Sequence, residues 1–113
     1  MNWKEKILKS LEDEIVVLEK ALETAKVAQR DAPSAMESAS NTTRSEMEKM
    51  ITALEIDINK VRENMKKLEN YEPKYFELDK LKLVLVPDGI GGKKIDGVML
   101  VSETSPIGKK LTQ

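Results

Sequence analysis

Cysteine and histidine are both absent from this 113-residue chain, and aromatics are nearly so, with one Trp, one Phe and two Tyr. Without Cys and His, the usual nucleophile, the proton shuttle of neutral pH and the common zinc ligands are missing, which leaves carboxylates and hydroxyls for site chemistry. Few aromatics together with 35% charged residues leave little material for a globular core, so the composition favours an elongated fold. Neither sign of charge dominates: nineteen Lys and Arg stand against twenty Asp and Glu, mixed along the whole chain. No basic face therefore offers a generic footprint for DNA or RNA. Long apolar runs are also lacking. No stretch approaches the roughly 18 apolar residues of a membrane span, and the opening MNWKEKILKS holds no signal-peptide run. A soluble, cytoplasmic protein is the expectation.

What the chain does have is a rhythm of apolar positions. Leu8, Leu11, Ile15, Leu18, Leu22 and Ala25 recur at alternating steps of three and four, which places them in one stripe on a helix. The same steps resume at Met47, Ile51, Leu54, Ile58, Val61, Met65 and Leu68, with charged residues on the outward faces. If the chain folds back on itself, Ala25 meets Met47, Leu22 meets Ile51, Leu18 meets Leu54, Ile15 meets Ile58, Leu11 meets Val61 and Leu8 meets Met65. Every pair centres near residue 36, so a single turn satisfies the whole seam. The spacing thus predicts a long antiparallel coiled-coil hairpin over 1–70, about 40 Å long at 1.5 Å rise per residue. Its tip is the segment 31–43, where Pro33 is excluded from a helix interior and small polar residues favour caps and turns. Thr42 or Thr43 followed by Glu46 reads as a capping box for the second helix.

Pro73 disfavours helical geometry at Glu72 and ends the rod, so 71–79 reads as a linker. Over 80–113, Leu81 to Val86 and Val98 to Ser102 are short β-branched runs joined by the glycine-rich stretch Pro87 to Gly97, most simply a two-strand hairpin. Gly89, Gly91 and Gly92 with Lys93 invite comparison with a phosphate cradle, but the spacing and the following helix of such a loop are missing. Ser105 and Pro106 suit the cap and first position of a short helix. Two such strands are marginal alone, so this region is expected to be incomplete or to pack on a partner or on the base of the rod. The fold class is α+β.

The order of these elements and the phrase Val101-Ser-Glu-Thr-Ser-Pro-Ile-Gly-Lys-Lys-Leu111 resemble the Gre transcript-cleavage factor family, whose C-terminal domain carries Ser-x-x-Ser-Pro-Leu-Gly-x-x-Leu. Leu85-Val-Pro-Asp-Gly-Ile-Gly-Gly-Lys-Lys94 looks like the segment before that phrase in some Gre-like proteins. The resemblance implies a small β-rich, truncated FKBP-like C-terminal part that docks on RNA polymerase at the rim of its secondary channel, with Ser105, Pro106, Ile107 and Gly108 in the docking phrase. It further implies a coiled coil reaching toward the active site, where an acidic tip helps hold a second Mg²⁺. At that tip the family's Asp and, three residues later, Glu are matched here by Asn41 and Arg44. A neutral amide and a guanidinium do not replace two carboxylates at Mg²⁺. Asp31 and Glu37 are the remaining tip carboxylates.

The chain also looks one strand short before Leu81, and it stops at Leu111-Thr-Gln113 where the family continues with more strands. A shortened docking region is expected, with strand addition from another chain as one route to its completion. The leading expectation is a non-enzymatic, Gre-like elongation regulator with no cofactor of its own beyond a Mg²⁺ shared with a polymerase. Two rivals stand beside it. One is a coiled-coil adaptor or self-associating protein, homodimeric through the coiled coil or a sheet edge. The other is a metal-assisted cleavage stimulator that uses Asp31 and Glu37.

Overall fold

In a computed structural model the chain is described over residues 2–30 and 38–112, with side chains over 2–30 and 45–112. Helix α1 spans Trp3–Arg30 and helix α2 spans Ser38–Glu69. Asn2 opens α1: its Oδ1 accepts from the Glu5 N–H at 2.8 Å, satisfying a donor that the first helical turn cannot. Helix α2 begins at Ser38, so Thr42 and Thr43 lie inside it and do not cap it. The segment after Pro33 holds no further breaker, and extending a nucleated helix costs little, so α2 runs back through the small polar residues. Of the expected tip 31–43, residues 38–43 are therefore helical, and 31–37 lie outside the described residues. None of the described helices is long and apolar enough to cross a membrane.

The chain divides into two compact units, 12–61 and the pair of segments 1–11 with 62–113. This boundary differs from the expected one near residue 70, because the first turns of α1 and the last turns of α2 cluster with the β-rich part. In the unit 12–61, Ile15, Leu18, Leu22 and Ala25 of α1 and Met47, Ile51, Leu54, Ile58 and Val61 of α2 are all buried or half-buried. The three-four stripe is thus the shielded face of each helix, while Val16, Val17, Met50 and Ile56 are exposed apolar residues beside it.

The other unit is built on a four-stranded sheet of β1 (Lys74–Leu78), β2 (Leu81–Val86), β3 (Lys94–Ile95) and β4 (Val98–Ser102), in the order β1-β2-β4-β3. Strand β1 lies in the stretch expected to be a linker and supplies the strand expected to be missing before Leu81. Its Tyr75-Phe76 pair is a β signal that the nearby Pro73 obscured; Pro73 precedes the strand, where the ladder needs no N–H from it. The expected two-strand hairpin is corrected as well. Strands β2 and β4 are neighbours, but they run parallel, with Leu83 level with Met99 and Val86 level with Ser102. A parallel pair needs a crossover. Here the glycine-rich segment provides it by passing to the far side of β4, pairing there as β3, and returning antiparallel.

Two tight turns set these registers. Asp79 (φ 48°) and Lys80 (φ 71°) join β1 to β2, and Asp96 (φ 52°) and Gly97 (φ 78°) join β3 to β4. Two successive positive φ values are the two-residue hairpin turn whose twist matches that of the strands. Central strand β2 is shielded on both faces, Leu83 and Leu85 pointing one way and Val84 and Val86 the other. With Ile7, Leu11, Leu68, Ile90, Val98, Leu100 and Val101 they form the core. Fully burying each such side chain stabilises by about 1.5–3 kcal/mol. Trp3 stacks on Tyr75 with ring centroids 6.2 Å apart and planes 7° from parallel, and the Lys6 ammonium lies 4.6 Å from the Trp3 ring. Lys6 also pairs with Asp96 at 3.1 Å.

Candidate functional site

The most constrained local structure lies where the end of β4 turns into helix α3 (Pro106–Leu111). Ser105 caps α3 as its spacing to Pro106 predicts: its Oγ accepts from the Gly108 N–H at 3.0 Å and donates to the Ser102 carbonyl at 2.7 Å. Pro106 sits at the start of the helix, where its missing N–H costs nothing. Gly108 is buried, and a Cβ there would land on the Ser102 carbonyl oxygen and 2.9 Å from Glu103 Cα, so only glycine lets α3 fold back this tightly.

The crossover loop closes the other side. Gly91 approaches β4 so nearly that a Cβ would sit 2.7 Å from the Ser102 N. The Gly92 N–H donates to the Leu100 carbonyl at 2.9 Å, and the Leu100 N–H donates to Lys93 at 2.7 Å. Asp88 ties loop to turn: its Oδ1 accepts from Thr104 Oγ1 at 3.0 Å and from Ser102 Oγ at 3.4 Å. From the last turns of α2, Asn64 donates to the Gly89 carbonyl and Lys67 to the Asp88 carbonyl, both at 3.2 Å. The Tyr71 hydroxyl is hydrogen-bonded to Glu103; burial and then the Glu103 charge push its pKa above the ordinary 10.0.

Between loop and turn lies an open groove of about 480 Å³, lined by Gly91, Gly92, Met99, Val101, Ser105 and Ile107 among others, and mainly apolar. Ile107 stands at 43% exposure. The four residues of the expected docking phrase thus separate by role. Ser105 and Gly108 build the turn and are occupied in doing so, whereas Pro106 and Ile107 face solvent. Such a surface can take an apolar partner group, while its hydroxyls are spent on the fold.

Of the expected tip residues, Asn41 and Arg44 lie in α2 one helical turn apart, with their side chains outside the described residues. Asp31 and Glu37 lie outside the described residues altogether. Among the described residues, no group of three acidic side chains comes together to hold a metal. Sequence reasoning missed Asp88, Asn64 and Lys67. Asp88 sits before a glycine within the loop, and Asn64 and Lys67 are three apart on α2, hence on one face. That spacing was the available signal. Compared with family models, curated proteins and solved structures, the chain matches none.

Proposed function

We propose that this chain is a Gre-like regulator of transcription elongation that binds RNA polymerase, its α3 turn docking at the rim of the secondary channel and its helices entering the channel as an antiparallel coiled-coil hairpin. The observation that carries the proposal is the Ser102–Leu111 phrase, which folds as a closed, capped turn with Pro106 and Ile107 displayed beside an apolar groove. The hairpin draws support from unit 12–61. There the four pairs from Ala25 with Met47 to Ile15 with Ile58 consist entirely of shielded residues. The β-rich part is read as an FKBP-like docking domain.

Asn41 and Arg44, in the register the resemblance assigns to its acidic pair, do not fit a shared Mg²⁺. A guanidinium repels the cation and one neutral amide is a weak ligand. The reading is therefore a channel occupant that is not itself an enzyme and does not stimulate cleavage. The test is capture of bacterial core RNA polymerase by the purified chain, followed by cleavage of backtracked RNA in Mg²⁺. Binding without stimulated cleavage is the expected result. Stimulated cleavage that is lost when Asp31 and Glu37 are both changed to Ala would restore those carboxylates as metal ligands.

The exposed Val16, Val17, Met50 and Ile56 favour a second reading, a coiled-coil adaptor whose helices associate with other helices. That reading expects a stable oligomer that Val17→Asp with Ile56→Asp disperses, and no capture of polymerase.

A further inference from the structure

We infer that the outer edge of β1 is a self-recognition surface through which a second copy of this chain adds its own β1, antiparallel, with Phe76 facing Phe76 across a two-fold axis. The inference is independent of polymerase binding. It begins with which backbone groups point outward. Leu78 and Leu81 flank the two-residue Asp79-Lys80 turn, so they form a hydrogen-bonded pair, and pairs alternate from there along the ladder. Leu78, Phe76 and Lys74 therefore direct their N–H and C=O groups to β2. Tyr75 and Glu77 direct theirs away from the sheet, to the side where no described strand pairs with β1.

A two-fold axis perpendicular to the sheet keeps the faces matched only if opposed residues share parity. With the axis at Phe76, Tyr75 opposes the partner's Glu77, and Glu77 opposes the partner's Tyr75. Both are then hydrogen-bonded pairs, four backbone bonds in all, and every outward group of the strand finds a mate. The side chains agree with this register. Tyr75 Oη donates to its own Glu77 carboxylate at 2.8 Å, so each copy brings this pair to the shared face already hydrogen-bonded. Lys74 opposes the partner's Leu78, bringing its aliphatic stem to a residue that is 47% exposed. This self-complementarity singles out a second copy over an unrelated strand. The opposite sheet edge, β3, has only two residues.

Trp3 stacks on the Tyr75 ring on the sheet face, and among the described residues no strand pairs with the outer edge of β1. Five residues a side bury less than a permanent dimer requires, so the association is weak and concentration-dependent, with a midpoint on the order of 100 μM.

Sedimentation equilibrium across that range tests the inference together with crosslinking. The chain contains no Cys, so single introduced cysteines report contacts without background. Lys74 and Leu78 are both exposed, and in this register they form a non-hydrogen-bonded pair with Cα atoms about 4.5 Å apart, within disulfide reach. A mixture of Lys74→Cys and Leu78→Cys chains should form a disulfide-linked heterodimer at least tenfold faster than either chain forms a homodimer, because like positions are four residues offset, about 13 Å. Glu77→Pro removes an outward N–H but no bond to β2, and should abolish the dimer while Val17→Asp with Ile56→Asp leaves it intact. Equal rates for mixed and single chains, a monomer at millimolar concentration, or a dimer dispersed by the helix substitutions and not by Glu77→Pro would overturn the inference.

Discussion

Replacing Gly108 by Ala would place a methyl group on the Ser102 carbonyl oxygen and 2.9 Å from Glu103 Cα, both backbone atoms. Neither can swing aside like the end of a long side chain, so α3 must lift off β4. In lifting it loosens the cap, in which Ser105 Oγ bridges the Gly108 N–H and the Ser102 carbonyl. Loss of a cap costs about 0.5–2 kcal/mol, and forcing an extra methyl into packed surroundings costs about 1–3 kcal/mol. Opposing this, Ala is better than Gly within a helix by about 1 kcal/mol. The net expectation is a loss of about 0.5–4 kcal/mol, against the 5–15 kcal/mol typical of a whole domain. Urea unfolding followed through the fluorescence of Trp3, the single Trp, which stacks on Tyr75 in the same unit, reads this directly. Gly97→Ala is the matched control: nothing lies within 4 Å of its Cβ position, so only its positive φ opposes the change, at about 1–2 kcal/mol. If Gly108→Ala is as stable as the parent, propensity outweighs contact and the account of the turn is wrong.

Three further outcomes are expected. Lys80→Gly should raise stability by about 0.5–1.5 kcal/mol in the same assay, since Lys80 holds φ 71° in a turn whose second position favours glycine; a loss would mean the turn is not strained. Tyr71 has a pKa raised by burial and by Glu103, so its contribution is complete below pH 10, the unfolded value, and is lost as pH rises through the higher folded value. Tyr71→Phe should flatten that alkaline loss, and an unchanged pH profile would remove Tyr71 as its source. Asp88→Ala should cost about 1 kcal/mol or less, because it removes one acceptor at an exposed site where the Ser102 and Thr104 hydroxyls still bond each other at 2.9 Å. A markedly larger cost would show that loop closure depends on that carboxylate more than the geometry indicates.

The helices were readable in the sequence because burying one face of a helix leaves a three-four rhythm, and Leu18, Leu22, Ile51 and Leu54 keep that rhythm. The start of α2 was not, since Thr42-Thr43-Arg44-Ser45-Glu46 carries a capping pattern that extension from Ser38 overrides. The strands Leu81–Val86 and Val98–Ser102 announced themselves through β-branched residues, yet nothing local distinguishes a parallel neighbour from a hairpin mate. Orientation was decided at a distance, by the crossover that Gly91 allows to pass close to Ser102. Strand β1 was hidden because Pro73 disfavours helix at Glu72 and gives 71–79 the look of a linker. In the candidate site, Ser105 and Pro106 were legible as a cap because capping chemistry is local. The grip of Asn64 and Lys67 on the loop was not, because it joins residues 21 and 25 positions apart.

The most direct test of the proposed function is the affinity of the full chain for bacterial core RNA polymerase, measured alongside Ile107→Asp and Arg44→Glu. The account predicts saturable binding at micromolar concentration, abolished by a charge at Ile107 beside the groove and retained after charge reversal at Arg44. Absence of binding by the parent chain, or equal binding by Ile107→Asp, would contradict it.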